Sequence, residues 1–290
     1  MQDLNEDTIT QSVIAQLANT SDPRLRQLLF SLVQHLHSFA REVQLSEGEL
    51  MAAIQILTRI GQMCNEKRQE FILLSDTLGL STLTMAMNNR KPVGCTEATV
   101  FGPFHVENAP AYTLGEDVAN GAKGEPCFVS GVVRGLSGEP VAHARMEVWQ
   151  ADADGYYDVQ YEGLEQSQAR GVLSTDETGR YYFRSIVAEP YPIPHDGPVG
   201  EMLRATGRHP WRPAHLHFMI GKEGYQTLVT HVFRSGGKYL DSDAVFGVRS
   251  SLIADWLRHP PGTAPDGSQM DTAFYTLEYD FVLNPTTAGR

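Results

Sequence analysis

The chain changes character at Lys91-Pro92. Pro23 is the only one of the 16 prolines that precedes Pro92, and glycine is sparse over the same stretch. A proline inside a helix removes a backbone donor and clashes with the preceding turn. The early region is therefore free to be helical, whereas the region beyond, where Gly and Pro punctuate short apolar runs, is not. Asp22-Pro23 starts a helix, with Asp as cap and Pro at the first helical position. Leu25, Leu28, Leu29, Leu32, Val33, Leu36 and Phe39 then repeat at helical spacing. Ser46-Glu47-Gly48-Glu49 is a capping box that opens a second helix with Leu50, Ala53, Ile54, Leu57 and Ile60 on one face. Two further helices are predicted, over 6–18 and over 66–89.

Beyond Pro92 the strand candidates are 127–134, 144–150, 180–187, 214–220, 227–233 and a cleanly alternating run from Tyr275 to Phe281. Turn signals at Ser137-Gly138, Asp154-Gly155, Thr178-Gly179 and Gly236-Gly237 separate them. Short strands without intervening helices predict an antiparallel β-sandwich. The stretch from about 188 to 213 is rich in Pro and Gly and reads as a long functional loop.

Composition narrows the function. The net charge of −12 argues against a nucleic-acid partner, which needs a basic surface. Cys64, Cys95 and Cys127 are odd in number and widely spaced, so a disulfide framework is not expected. The N-terminus lacks the basic and apolar regions of a signal peptide, and no apolar run of about 18 residues is present to span a membrane. A cytoplasmic location is expected.

Chemistry concentrates in Arg212-Pro213-Ala214-His215-Leu216-His217-Phe218. On a strand, His215 and His217 share a face. They can supply two positions of a transition-metal site, or they can be two core histidines. No His-x-Asp or His-x-Glu run accompanies them, and Glu223 and His231 fit a cupin-like set only loosely. Tyrosines are better further candidates: Tyr156 and Tyr157 follow a turn glycine, and Tyr191 lies in the long loop. Phenolates are hard anionic ligands that suit Fe(III) and offset its charge.

Together, the Arg212–Phe218 run, Gly155-Tyr156-Tyr157, Tyr191 with Asp196-Gly197-Pro198, and Phe101-Gly102-Pro103-Phe104 resemble the intradiol ring-cleaving dioxygenases along nearly the whole chain. The 192–200 stretch and the helical start are most similar to the hydroxyquinol-cleaving members. Catechol and chlorocatechol 1,2-dioxygenases are the near relatives. The resemblance implies one Fe(III) per subunit, held by Tyr157, Tyr191, His215 and His217. It implies cleavage of an aromatic ortho-diol by O2 to a muconate, which for hydroxyquinol is 3-hydroxy-cis,cis-muconate, the enol of maleylacetate. Tyr191 would accept a substrate proton, and Arg212 would stabilise charge on the ring.

The resemblance also implies a helical linker and dimerisation domain over residues 1–100, a β-sandwich catalytic domain over 101–290, and a homodimer formed through the N-terminal helices with lipid at the interface. Matching pocket positions are Leu73, Asp76, Val100, Phe101, Gly102, Pro103, Phe104, Ile193, Pro194, Arg212, His231 and Val245. Asp76 has two compatible readings, as acceptor for a third substrate hydroxyl and as a helix cap after Ser75. His231 is a departure, since many relatives carry Gln there. It is read as a hydrogen-bond donor or a core residue, not as a ligand. Catechol or chlorocatechol cleavage, a Zn or Fe(II) cupin-like oxygenase, and a metal-free binding module are the alternatives.

Overall fold

The computed structural model describes residues 4–65 and 68–286. It separates into two compact units, the first ending at Gln62 and the second beginning at Met63. The first is built from α1 (Ile9–Leu17), α2 (Pro23–Glu42) and α3 (Glu47–Met63). Its caps are the expected ones. Asp22 accepts from the backbone N–H of Arg24 and Leu25 at 2.7 and 3.1 Å. Ser46 and Glu49 exchange backbone-to-side-chain bonds at 2.9 and 3.3 Å. The apolar stripes of α2 and α3 are exposed: Leu25, Leu28, Leu32, Leu36 and Phe39 on one, Leu50, Ile54 and Leu57 on the other. Among the described residues, no helix is long and apolar enough to cross a membrane.

The second unit opens with α4 (Glu70–Thr77) and α5 (Leu80–Asn88). The single helix predicted over 66–89 is two, and its first two residues lie outside the described ones. Gly79 separates the pair at φ +75°, a conformation that ends one helix and starts the next. The strands that follow are β1 (Pro126–Gly135), β2 (Arg145–Gln150), β3 (Arg170–Ser174), β4 (Arg180–Ile186), β5 (Tyr191–Pro192), β6 (Trp211–Arg212), β7 (His215–Gly221), β8 (Leu228–Arg234), β9 (Ile253–Ala254), β10 (Trp256–His259), β11 (Gly262–Thr263), β12 (Gln269–Met270), β13 (Phe274–Glu278) and β14 (Phe281–Leu283). Helix α6 (Pro198–Ala205) and the β5–β6 ladder occupy the stretch expected to be an irregular loop.

One sheet runs β3-β2-β7-β8-β9, the other β10-β13-β1-β14 with β4 also on β1. A single core draws on both: Val129, Phe183, Leu277 and Phe281 from one, Met146, Leu173, Phe218 and Val232 from the other. The expectation of purely antiparallel sheets is corrected. β1 pairs parallel with β13 and β14, and β8 pairs parallel with β9. Only a tight hairpin forces antiparallel pairing. β1 and β13 are separated by most of the unit, so their pairing is not bound to that geometry.

The last predicted strand keeps one register along β1 but breaks between β13 and β14. There the Asp280 carboxylate accepts the Val132 N–H at 2.8 Å. Gly131 leaves room for the Tyr279 carbonyl, which a Cβ would meet at 1.8 Å.

Candidate metal centre

β7 alternates as a strand with two buried faces must. Leu216, Phe218 and Ile220 enter the core, and His215 and His217 face the other way, both buried. The two imidazoles stand with Nε2 atoms 3.1 Å apart. His215 Nδ1 lies 2.7 Å from the Pro213 carbonyl. A carbonyl only accepts, so that nitrogen carries the proton and Nε2 presents its lone pair. The Tyr157 hydroxyl is 2.9 Å from His217 Nε2. Tyr191 meets Tyr157 edge-on, ring centroids 5.2 Å apart, and lies against His215 at 5.6 Å. Two nitrogen ligands at right angles, each about 2.1 Å from one ion, stand about 3.0 Å apart, so the donor spacing fits a shared cation.

Sequence-distant elements assemble this cluster. The Gly155 turn and a 3-10 turn (Asp158–Gln160) deliver Tyr157. Arg170, on a strand that sequence reasoning passed over, is buried and pairs with Asp158, with Nε to Oδ2 at 2.7 Å. Its Nη1 donates to the Phe104 carbonyl at 2.9 Å, and the Phe104 ring stacks on Tyr157 at 4.4 Å. The β5–β6 ladder sets Tyr191 directly opposite Arg212. Trp149, His217 and His231 stand in a row across three strands by register, and the indole stacks on His217 at 4.6 Å.

Burial decides the charge states. It pushes His215 down to about 3, with Arg212 adding to the effect. It holds His217 and His231 well below the usual histidine range. All three are neutral at pH 7, the state in which an imidazole such as His215 or His217 can offer a lone pair to a metal. Burial raises Tyr157 well above the usual phenol range, with Tyr191 next in effect. A neighbouring cation is what would make it a phenolate.

Arg212 is buried. Burial opposes its charge, but Asp243 and Tyr191 outweigh that and hold its pKa above the ordinary value. Its Nη1 reaches Tyr191 Oη and His215 Nε2, each at 3.4 Å. His215, His217 and His231 each offer a nitrogen within 4.8 Å of the others. Yet the His231 ring stacks on His215 at 4.6 Å and 24°, so their lone pairs lie in two nearly parallel, separate planes, a poor arrangement for converging on one ion. His231 Nδ1 is 3.4 Å from Thr99 Oγ1, and among the described residues its buried Nε2 has no partner.

Five of the expected pocket residues, Asp76, Val100, Phe101, Gly102 and Pro103, line one cleft of about 690 Å³. Gly102 sits at φ +79°, and a Cβ there would come 3.2 Å from His217, so this wall lies directly on the histidine. Leu73 and Asp76 share a face of α4 and are both buried. Ile193 is tied by its N–H to the Pro210 carbonyl at 2.9 Å, and Pro194 follows it. Val245 is held through its N–H to Asp243 Oδ1 at 3.2 Å and through its carbonyl, which accepts from Thr82 Oγ1 at 2.9 Å.

The cap reading of Asp76 is corrected. Asp76 sits in the last turn of α4, and Gly79 precedes α5. Burial raises its pKa, with Ser81 and Arg212 pulling the other way. Sequence reasoning missed Asp243, Arg170 and Asp158, whose partners are remote in the chain and leave no local signal.

Two family models match the chain: "Catechol dioxygenase N terminus" over residues 22–96 and "Dioxygenase" over residues 100–285. A 6-chlorohydroxyquinol 1,2-dioxygenase of Cupriavidus pinatubonensis is 66% identical, over 99% of this chain and 100% of that protein. A hydroxyquinol 1,2-dioxygenase of Rhodococcus opacus is 52% identical, over 97% of this chain and 94% of that protein. The solved hydroxyquinol 1,2-dioxygenase of Pseudomonas putida superposes with a TM-score of 0.91 at 44% identity, over 97% of this chain and 99% of that one. The chain belongs to the intradiol ring-cleaving dioxygenases.

Proposed function

We propose that the chain is a hydroxyquinol 1,2-dioxygenase. It would open 1,2,4-trihydroxybenzene between its adjacent hydroxylated carbons with O2, giving 3-hydroxy-cis,cis-muconate, the enol of maleylacetate. The observation that carries the reading is a carboxylate, Asp76, lining the same cleft as the Gly102 wall that lies on His217. The relatives named for hydroxyquinol substrates at 52% and 66% identity point the same way.

Tyr157, Tyr191, His215 and His217 would hold one Fe(III) per subunit. Two neutral imidazoles and two phenolates are a hard, charge-compensating donor set. A ferric ion held there would supply a Lewis-acid site for the two diol oxygens and activation of the ring toward O2. Tyr191 Oη would accept a proton from a substrate hydroxyl as the diol enters. Arg212, 3.4 Å from that oxygen, would stabilise negative charge spread over the ring. Asp76 would accept a hydrogen bond from the third hydroxyl. His231, whose buried Nε2 has no partner among the described residues, would offer that atom to the substrate or to O2. Val100, Phe101, Pro103, Ile193 and Val245 would keep water off the ring, with Leu73, Gly102, Pro194 and Phe104 completing the wall.

The catalytic part is read as a β-sandwich over 101–290. Residues 1–100 are read as its linker and dimerisation part. The exposed leucine stripes of α2 and α3 suit a twofold contact, with a lipid chain filling the remaining apolar surface. The setting is read as cytoplasmic, a compartment in which free thiols such as Cys64, Cys95 and Cys127 persist.

The test is oxygen uptake by iron-loaded protein on hydroxyquinol, catechol and chlorocatechols, with the visible spectrum recorded before and after anaerobic diol. A tyrosinate-to-iron band that shifts with hydroxyquinol, and fastest turnover on that substrate, is the expected result. A colourless protein that does not retain iron would overturn it. The 66% relative favours one second reading, a chlorinated hydroxyquinol as the preferred substrate. The same assay with 6-chlorohydroxyquinol decides between the two.

A further inference from the structure

Glu70 is a carboxylate with no solvent exposure, and the chemistry above does not use it. It opens α4, the helix that carries Leu73 and Asp76. Its Oε1 accepts the Val199 N–H at 3.1 Å, in the first turn of α6, so α4 caps α6 from outside. Its Oε2 takes Arg68 Nε and Nη2 at 3.0 and 2.8 Å. The same guanidinium bonds Asp196, just ahead of α6, at 3.0 Å. A Cβ on Gly197 would come 2.6 Å from Glu70 Oε1, so the backbone is packed directly on the carboxylate.

The other end of α4 is held as firmly. Arg208 follows α6 and donates from Nη1 to the Thr77 carbonyl, the last residue of α4, at 2.6 Å. Its Nη2 donates to the Ala244 carbonyl at 3.0 Å, and its guanidinium lies 4.9 Å over the Phe246 ring. The excursion from 195 to 208 therefore grips α4 at both ends. The stem of that excursion is the β5–β6 ladder, where Tyr191 faces Arg212.

We propose that the α6 excursion is a brace between the reacting residues and the substrate-selecting helix, and that Glu70 and Arg208 are its positioning residues. One continuous piece of chain would thus set how far Asp76 stands from Tyr191 and Arg212. Small displacements matter there, because a hydrogen bond to a ring substituent fails outside a few tenths of an ångström. The inference rests on the reading of Asp76 as the acceptor for the third hydroxyl.

The test compares Glu70→Ala, Glu70→Gln, Arg208→Met and Arg208→Lys as iron-loaded enzymes. Glu70→Ala and Arg208→Met are expected to raise KM for hydroxyquinol about tenfold, with iron content, the tyrosinate band and kcat on catechol kept. Glu70→Gln still offers an oxygen to Val199 and is expected to recover most of the selectivity. Hydrogen exchange at the amides of residues 73–77 should quicken in the two disruptive variants. If Glu70→Ala does not fold, Arg208→Met with Arg208→Lys as its rescue carries the comparison.

Parallel losses on both diols, or unchanged selectivity with faster exchange, would overturn the brace. A wild-type enzyme without preference for hydroxyquinol sinks the substrate reading instead. The brace then stands on exchange at 73–77 alone, and unchanged exchange would end it.

Discussion

Asp243 grips Arg212 with both carboxylate oxygens, at 3.1 and 3.3 Å, and both side chains are buried. The same carboxylate collects the N–H groups of Val245 and Gly247 at 3.2 and 2.9 Å. One side chain thus aims the guanidinium and shapes the loop that carries Val245. Asp243→Asn is expected to lower kcat/KM by about 10- to 100-fold on every diol, with iron retained. Steady-state assays beside iron analysis check this. Wild-type turnover in the variant would show that Arg212 needs no partner.

Asp76, read as the acceptor for the third hydroxyl, gives a prediction of a different kind. On that reading, Asp76→Ala removes the acceptor for the third hydroxyl, a contact catechol does not make. It should lower kcat/KM for hydroxyquinol by about 10- to 100-fold while catechol changes little. Equal losses on both substrates would end the specificity role.

The same carboxylate should cost stability. Burial raises its pKa above that of the unfolded chain. Between the two values the folded state binds the extra proton, so stability falls as pH rises from about 3.9 through the folded pKa, and stays lower above it. Asp76→Asn removes the ionisation. Its stabilisation of the metal-free protein should therefore grow as pH rises from 4 toward 7 in urea unfolding. A difference independent of pH would contradict this.

Arg170 supports the tyrosine side of the site. Arg170→Met strands the Asp158 carboxylate in the interior, at a cost of about 3–5 kcal/mol. It also releases the Phe104 carbonyl, and with it the ring stacked on Tyr157. Lower unfolding midpoint together with less than one iron per subunit is the expected pair of results. A destabilised variant that still holds full iron would separate Arg170 from the metal site.

The legible parts of this protein were those written locally. Asp22-Pro23 and the Ser46–Glu49 box cap helices because a cap needs only its own turn. The projection of His215 and His217 to one face follows from the period of a strand. Meeting Tyr157 and Tyr191 there does not: it depends on a 3-10 turn and a two-residue ladder that no periodicity announces. Asp243 stands 31 residues from Arg212 along the chain, and the Arg170–Asp158 pair joins a strand to a turn. The cap assigned to Asp76 failed because Gly79, not Asp76, marks the break between α4 and α5. Parallel pairing of β1 with β13 was invisible for the same reason, since nothing near either strand records the other.

That last pairing governs the order in which the protein can be made. β1 is complete by Gly135, yet its neighbours β13 and β14 arrive only with residues 274–283. Closing so long a loop is entropically slow, and contacts of this separation form late. The core shared by the two sheets includes the apolar face of β7. Phe218 on that face meets Phe281 at 4.7 Å, so the side of β7 opposite His215 and His217 gains its full cover only once residues 274–283 are in place.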